Sequence, residues 1–536
     1  MRTPVLPYRP AFDARSATET VRAVSLPVLA GLLVRAIPVL TSGFPLNDGG
    51  LFYAMTRDLQ NAHFLIPAAT TYNGLAIPFV YPPLGFYLAG GLSSVFGIDL
   101  LGVFQFLPMI VATLAVPAFY LLAREILSTR FQALLATWAF AFLPRAFAWL
   151  IAGGGLTRSF GILFAILTIW QAARLFRTGR PASIVWTGVF AALTVLSHPQ
   201  AAEFMGVSVL LVLLAYGRSI AGLRNAILAG GLAVLLSAPW WLAVISVHGI
   251  APFISGGQTG INLIATLYYL LTFRFTDEPY LPLLAALGFL GLLSELAARR
   301  YLLPAWLVAL FVVDERFAAT ASMVPLAMLS AVGLQDVVFA RLLGLRERAD
   351  ADPLWPARVI RDRFGRLVLG GALAVGVIGA IMASTVGGSP LQVMPAQNRV
   401  AMAWISANTP PSTRFMVVTG VGWFIDANGE WFPVLAERQS LGTLQGYEWL
   451  GKDKWLAQGT RNDDLASCAK QTADCITSWA EANSSTDAWV YLPRQTAAGW
   501  QATGDCCPGL RESLKRSTSY EVAFDGPGGT VFIPRP

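Results

Sequence analysis

The sequence predicts a polytopic α-helical membrane protein with a soluble α/β or α+β domain at its C-terminal end. Three observations carry this. Of the 536 residues, 55% are hydrophobic and only 13% are charged, against roughly 25% charged in soluble domains. Apolar runs of about 15–25 residues, the length of a bilayer crossing, recur until about residue 387. Beyond Gly388 the composition changes: charged residues, Asn, Thr, Ser and Gln become frequent and apolar runs shorten.

Arg2, Arg9, Arg15 and Arg22 precede the first apolar run, Ala23 to Leu40, and no small-residue cleavage site follows it. The pattern predicts a retained first helix with a cytoplasmic N-terminus rather than a signal peptide. Arginine-bearing loops follow around Arg124 and Arg130, Arg174 to Arg180, Arg218 and Arg224, Arg299 and Arg300, and Arg341 to Arg366. Short basic loops face the cytoplasm. Placing all five there predicts about eleven spans, near 24–42, 100–123, 131–150, 159–177, 183–200, 203–217, 226–247, 281–298, 301–313, 318–339 and 367–387. The apolar pieces 82–97 and 261–273 then lie along or dip into the outer interface. Counted as spans they raise the number to about thirteen and put the first three arginine loops outside. The expected organisation is a plasma-membrane domain, 1–387, with an outer loop at 43–81, and an extracytoplasmic domain, 388–536.

Within the C-terminal part, "STRFMVVTG" (412–420), "DAWVYLP" (487–493) and "GTVFIP" (529–534) read as buried strands, and 398–409 has helical apolar spacing. All four cysteines fall here. An even number in an outer domain points to disulfides rather than a metal site, for which C-x-x-C spacing is lacking. Cys468 with Cys475 is the easiest local pair. Adjacent Cys506 and Cys507 seldom bond to each other, so a cross-link from one of them to the first pair is expected. The net charge of +7 is almost all arginine in short loops; the only lysines are Lys452, Lys454, Lys470 and Lys515. No basic stripe with interleaved aromatics is present, which argues against nucleic acid.

The predicted outer face collects Asp48, Arg158, His198 and Arg316. Ionisable groups at the edge of a bundle usually face its interior or a water-filled cavity. An outer loop opening on an acid, "GFPLNDGGLFYAMTRD" (43–58), followed by "YPPLGFYLAGGLSSVFG" (81–97), many helices and an outer domain, resembles the GT-C superfamily of integral-membrane glycosyltransferases. "GGGLTRSFG" (153–161), "LSHPQAAEF" (196–204) and "ERQSLGTLQGYEW" (437–449) are similar to prokaryotic members of the protein O-mannosyltransferase and aminoarabinose transferase kind. The W-W-D-x-G motif of oligosaccharyltransferases is missing, since "PWWLAV" (239–244) has no following Asp.

The resemblance implies sugar transfer from a polyprenyl-phosphate donor to a protein, glycan or lipid acceptor at the outer face of the bilayer. Such chemistry needs a base for the acceptor hydroxyl and cations for the leaving phosphate. Asp48 suits the first role, Arg158 and Arg316 the second, with His198, Tyr81 and Asn47 as further contacts to acceptor or donor. Only one acid stands at this point of the sequence, so no cofactor is required, although a divalent cation (Mg²⁺ or Mn²⁺) is admissible. The bland alternatives are that Asp48 caps the next helix, that the arginines snorkel and that "SHP" merely ends a helix. A non-catalytic scaffold or lipid-linked sugar carrier is the rival function. A transporter ranks third, because neither paired repeats nor mid-membrane charges stand out. Reporter fusions at residue 450 are expected to read out on the non-cytoplasmic side; a cytoplasmic signal there would overturn this topology.

Overall fold

A computed structural model describes residues 14–258, 268, 270–272, 274–342, 355–385, 391–494 and 505–535. The chain is mainly helical up to Thr385, and a five-stranded sheet with flanking helices follows. Among the described residues, 7 helices are long and apolar enough to cross a membrane, or 9 if each of two bent pairs counts as one span. They include α1 (Ala14–Ser42), with its apolar part at Val21–Ser42, and further on Leu100–Ile126 and Gly155–Thr178. Between them lie α2 (Gly50–Asn61) and α3 (Leu84–Phe96). We call Leu100–Ile126 α4, Arg130–Phe142 α5 and Gly155–Thr178 α6.

Four expected spans differ from a simple crossing; one of them, 183–200, is the 15-residue helix Pro181–Val195, shorter than a bilayer crossing. The stretch 131–150 is helical only to Phe142 and then bends by 82° into Pro144–Leu150. Proline disfavours helical geometry in the residue before it, and Leu143 is extended (φ −61°, ψ 115°). The stretches 281–298 and 301–313 are helices of 15 and 12 residues folded on each other at 120°. The piece at 82–97 is α3, whose 13 residues reach about 20 Å, short of a roughly 30 Å hydrocarbon core. Most of 261–273 lies outside the described residues.

The bend after α5 is held by an arginine inside the bundle. Arg35 of α1 is fully buried. Its Nη1 donates to Gly31 O and to Ala141 O, both at 3.0 Å, and its guanidinium lies 4.8 Å from the Phe147 ring. Ala141 is in the last turn of α5, where carbonyls have lost their helical partners and the dipole is negative. Arg35 therefore caps α5 and fixes where 144–150 departs.

In the C-terminal sheet the order is β4 (Gln439–Ser440), β3 (Arg414–Val417), β5 (Trp489–Pro493), β7 (Gly529–Pro534), β6 (Tyr520–Gly526), β1 and β2 being a two-residue pair at Ala69–Thr70 and Ile77–Pro78. Strand β3 runs parallel to β4 and β5; the β5–β7 and β7–β6 pairs are antiparallel. Side chains alternate between two cores, as a period of two requires. Met416, Val490 and Phe532 join Leu465, Ile476 and Leu510 on one face. Phe415, Val417, Tyr491 and Val531 join Met402, Ile405, Trp431 and Phe432 on the other. That second core also takes in Phe44, from the loop after α1, whose ring lies 4.8 Å from Trp431.

Cys468 pairs with Cys475, and Cys506 with Cys507. The expected cross-link between the two pairs is therefore corrected. Cys468 already has its partner seven residues away, while Cys506 and Cys507 both pack their sulfurs toward the Val418 carbonyl. Alkylation of the native protein is expected to label none of the 4 cysteines. Cys475→Ser is expected to lower stability by roughly 2–3 kcal/mol, the chain-entropy value for so short a loop. Full labelling without reductant would refute both.

Candidate active site

Where α1 ends, the chain makes a tight turn through residues 43–49 before entering α2. Asn47 sits in the left-handed region (φ 53°) and is buried. Its side-chain oxygen accepts from Gln392 N–H at 2.6 Å, its own N–H donates to Gln392 O at 3.0 Å, and its carbonyl accepts from the Trp431 indole at 3.0 Å. The next residues show why two glycines follow the acid. A Cβ on Gly49 (φ 139°) would meet the Gly153 backbone at 2.9 Å and the Trp431 ring at 3.0 Å; one on Gly50 would meet Glu430 O at 2.5 Å. Gly49 is itself the N-cap of α2, with no side-chain cap bond. Capping is thus not what Asp48 does.

The side chain of Asp48 turns to α6. Both carboxylate oxygens face Nη2 of Arg158, at 2.7 and 2.6 Å. Backbone contacts hold the two segments together: Gly153 N–H donates to Leu46 O and Gly154 N–H to Asp48 O, each at 2.8 Å. A Cβ on Gly154 would lie 2.5 Å from the Asp48 carboxylate, so the glycines of "GGGLTR" make the pair possible. The side chains keep 24% and 18% of their exposure, enough to leave an open side.

A second arginine shares this corner. The guanidinium groups of Arg158 and Arg145 lie 5.6 and 5.8 Å from the Trp149 ring, within the range of cation–π attraction. Arg145 is tethered to Asp277 at 3.2 Å. Nε of Arg145, Nε of Arg158 and Nε1 of Trp149 are all buried with no hydrogen-bond acceptor among the described residues. Such orphans cost about 1–3 kcal/mol each, so an acceptor-rich anion bound here would recover more than at an already satisfied surface. The segment 144–150 that carries Arg145 and Trp149 is the one Arg35 positions from below.

Tyr81 and His198 form the adjoining wall. The Tyr81 ring packs 4.6 Å from Phe52, 5.8 Å from Trp449 and 6.1 Å from His198. Its hydroxyl bonds with Thr157, beside Arg158; burial still pushes the phenol up to about 12. His198 caps the helix Pro199–Tyr216, Nδ1 accepting from Ala201 N–H at 3.3 Å, and its ring lies 5.2 Å from Phe317. Burial, helped by the Arg158 and Arg316 charges, pulls its imidazole well below the ordinary value. It is therefore neutral at pH 7, and with Nδ1 accepting, the proton sits on Nε2. Arg316 is exposed; its charge reaches Tyr81, His198 and Glu448 but no contact with Asp48 is formed among the described hydrogen bonds and ion pairs.

Two acids come from the C-terminal part. Burial raises both carboxyls. For Glu448, the Arg316 charge opposes the rise. For Glu430, the nearby Asp48 charge adds to it and carries the group to about 8. Glu430 Oε1 accepts from Gly49 N–H at 2.8 Å, and its backbone carbonyl accepts from the Tyr72 hydroxyl at 2.7 Å. One acid stands at this point of the sequence, and a second joins it by folding, from 382 residues further along the chain.

Asp48, Arg158, Tyr81 and His198 are brought to one end of the bundle, with Arg316 at its margin. Asn47 is there too, but its side chain is spent on the backbone of Gln392. Sequence reasoning missed Arg145, Trp149 and Glu430. Glu430 is the one carboxylate inside the otherwise apolar and amide-bearing run "ANGEWFPVL" (427–435), which was the available signal. Glu448 and Trp449 lay within a stretch singled out for its resemblance but given no role.

Residues 80–243 match the family model described as dolichyl-phosphate-mannose-protein mannosyltransferase. No curated protein matches the chain. Among solved structures, ArnT from Cupriavidus metallidurans bound to undecaprenyl phosphate is similar at TM-score 0.53 and 14% identity, over 96% of this chain and 98% of that one. The Archaeoglobus fulgidus oligosaccharyltransferase in the apo form gives TM-score 0.53 and 16% identity, over 88% and 69%. The arabinofuranosyltransferase AftD from Mycobacteria gives 0.57 and 14%, over 96% of this chain but 40% of that longer one. At these identities the likeness is one of fold. Over nearly its whole length the chain thus has the GT-C membrane fold of these transferases, and residues 80–243 carry the mannosyltransferase family match.

Proposed function

We propose that the protein moves a sugar from a polyprenyl-phosphate-linked donor to a hydroxyl of a protein, glycan or lipid acceptor. The reaction takes place at the membrane face where the C-terminal domain sits, the non-cytoplasmic face by the arginine loops. The observation that carries this reading is the Asp48–Arg158 pair, held by backbone contacts at the end of α6 yet open on one side. Asp48 takes the proton of the acceptor hydroxyl, the acceptor oxygen bonds to the anomeric carbon, and the bond from that carbon to the phosphate oxygen breaks. The leaving phosphate needs fixed positive charge as it gains charge. Arg158 supplies it, with Arg145 and the Trp149 N–H beside it and Arg316 at the margin. His198 and Tyr81 line the remaining wall, where neutral hydroxyl and imidazole groups suit a sugar or acceptor hydroxyl. Both oxygens of Asp48 face Arg158, and a divalent ion would compete with Arg158 for those oxygens.

The assay is incubation of purified protein with radiolabelled polyprenyl-phosphate sugars and a membrane extract. Asp48→Asn is expected to fold and bind donor as before while turnover falls by a factor of about 10²–10⁴, the usual cost of losing a general base. Normal turnover in the folded variant would remove Asp48 from the reaction. Arg145→Gln is expected to raise the donor KM by roughly tenfold or more with a smaller effect on kcat, in line with one charge-assisted hydrogen bond. An unchanged donor KM would take Arg145 out of the donor site.

A further inference from the structure

Glu430 takes no part in the proposed proton and sugar transfer, yet it is a group through which the C-terminal domain grips the Asp48 loop. Oε1 takes the Gly49 N–H at 2.8 Å, the Leu51 N–H bonds the same carboxyl, and Oε2 lies 3.4 Å from the Gln445 amide. The residue is 5% exposed. The neighbouring Trp431 holds Asn47 O, so one short helix, Ala427–Leu435, binds the chain on both sides of Asp48. The charged and titratable groups that face Glu430 are Asp48 from the loop, Arg158 from α6 and Tyr72 from the turn Tyr72–Gly74. From its own domain, Asp426 and Glu448 share its influence on Tyr72.

We propose that Glu430 is a positioning residue for Asp48: carrying a proton, it fastens the loop and leaves Asp48 as the only anion of the pair. The inference rests on Asp48 being the base. Two carboxylates and one guanidinium cannot all be charged here without an uncompensated buried anion, because the Nη2 of Arg158 is already engaged by Asp48. A protonated Glu430 removes that excess and still accepts the loop N–H bonds through its carbonyl oxygen. During transfer the acceptor proton goes to Asp48 and the Glu430 proton stays where it is. Ionisation of Glu430 sets two anions against each other, which displaces Asp48 from Arg158 and loosens the domain from the loop.

The sign follows from linkage. A carboxyl raised by folding stabilises the native state fully below its ordinary value, and the contribution is lost as pH rises through the folded value, about 8 for Glu430. The experiment compares wild type, Glu430→Gln and Glu430→Ala in detergent, from about pH 6 to about pH 9.5, by thermal unfolding and by transfer rate. Glutamine mimics the protonated acid. Glu430→Gln is expected to match wild type near neutrality and to lose the alkaline fall in both readouts. Glu430→Ala, without the loop anchor, is expected to lose about tenfold or more in rate at every pH. A Glu430→Gln protein with the wild-type alkaline fall, or a Glu430→Ala protein with full turnover, overturns the proposal. Asp48→Asn is run alongside: if it turns over normally the base reading and this inference fall together, whereas an inactive Asp48→Asn with an unshifted Glu430→Gln profile rejects Glu430 alone.

Discussion

Three backbones meet around Asp48: the loop after α1, the turn before α6 and the helix Ala427–Leu435. They approach to distances at which a methyl group has no place at Gly49, Gly50, Gly153 or Gly154. This exclusion of Cβ atoms is the constraint on which the site depends. It lets Gly154 N–H reach Asp48 O and brings the Arg158 guanidinium onto the carboxylate without a long, mobile side chain having to bridge a gap. Rotamer freedom given up by long side chains is what makes exposed ion pairs weak. Here the backbone does most of the positioning, and the side chains have little left to lose.

Charge placement follows the same economy. Arg35, Arg145 and Arg158 all lie along or beneath the bent segment 141–158, and each is stacked on an aromatic ring. Arg35 caps α5 through a hydrogen bond to Ala141 O, at the point where the chain bends. The bend in turn carries Trp149 to the foot of α6. A break in a membrane helix is tolerated where protein or water, not lipid, meets the freed backbone, and this break is covered by Arg35 below and by the Arg145–Asp277 pair beside it.

Much of the helical part was legible because apolar runs report burial in lipid or protein directly. The bend at Pro144 and the hairpin at Ala298–Tyr301 were not, since hydropathy averages over a window and does not see direction. Asp48 and Arg158 could be singled out as polar groups at helix ends, but their pairing depends on glycines whose function is to leave space, and space has no periodicity. In the sheet, β3, β5 and β7 were visible as short apolar strands, whereas β6, "YEVAFDG", is mostly exposed or half-buried and gave a weaker signal. Glu430 escaped because a single sequence does not show which distant segments touch. The cysteines divide in the same way: the Cys468–Cys475 pair follows from local reach, while the Cys506–Cys507 pair runs against the usual behaviour of neighbours.

The ties between Asn47 and Gln392 and between Gly49 and Glu430 span 345 and 381 residues of sequence. A chain emerging from the ribosome therefore inserts α1 and presents Asp48 long before anything exists to hold it. Domains form as units in order of synthesis, so the helical bundle is complete while the Asp48 loop is still slack. Competence arrives only with the last quarter of the polypeptide. A nascent or interrupted chain would occupy the bilayer without an assembled Asp48 site, which separates the time of membrane insertion from the time at which that site is complete.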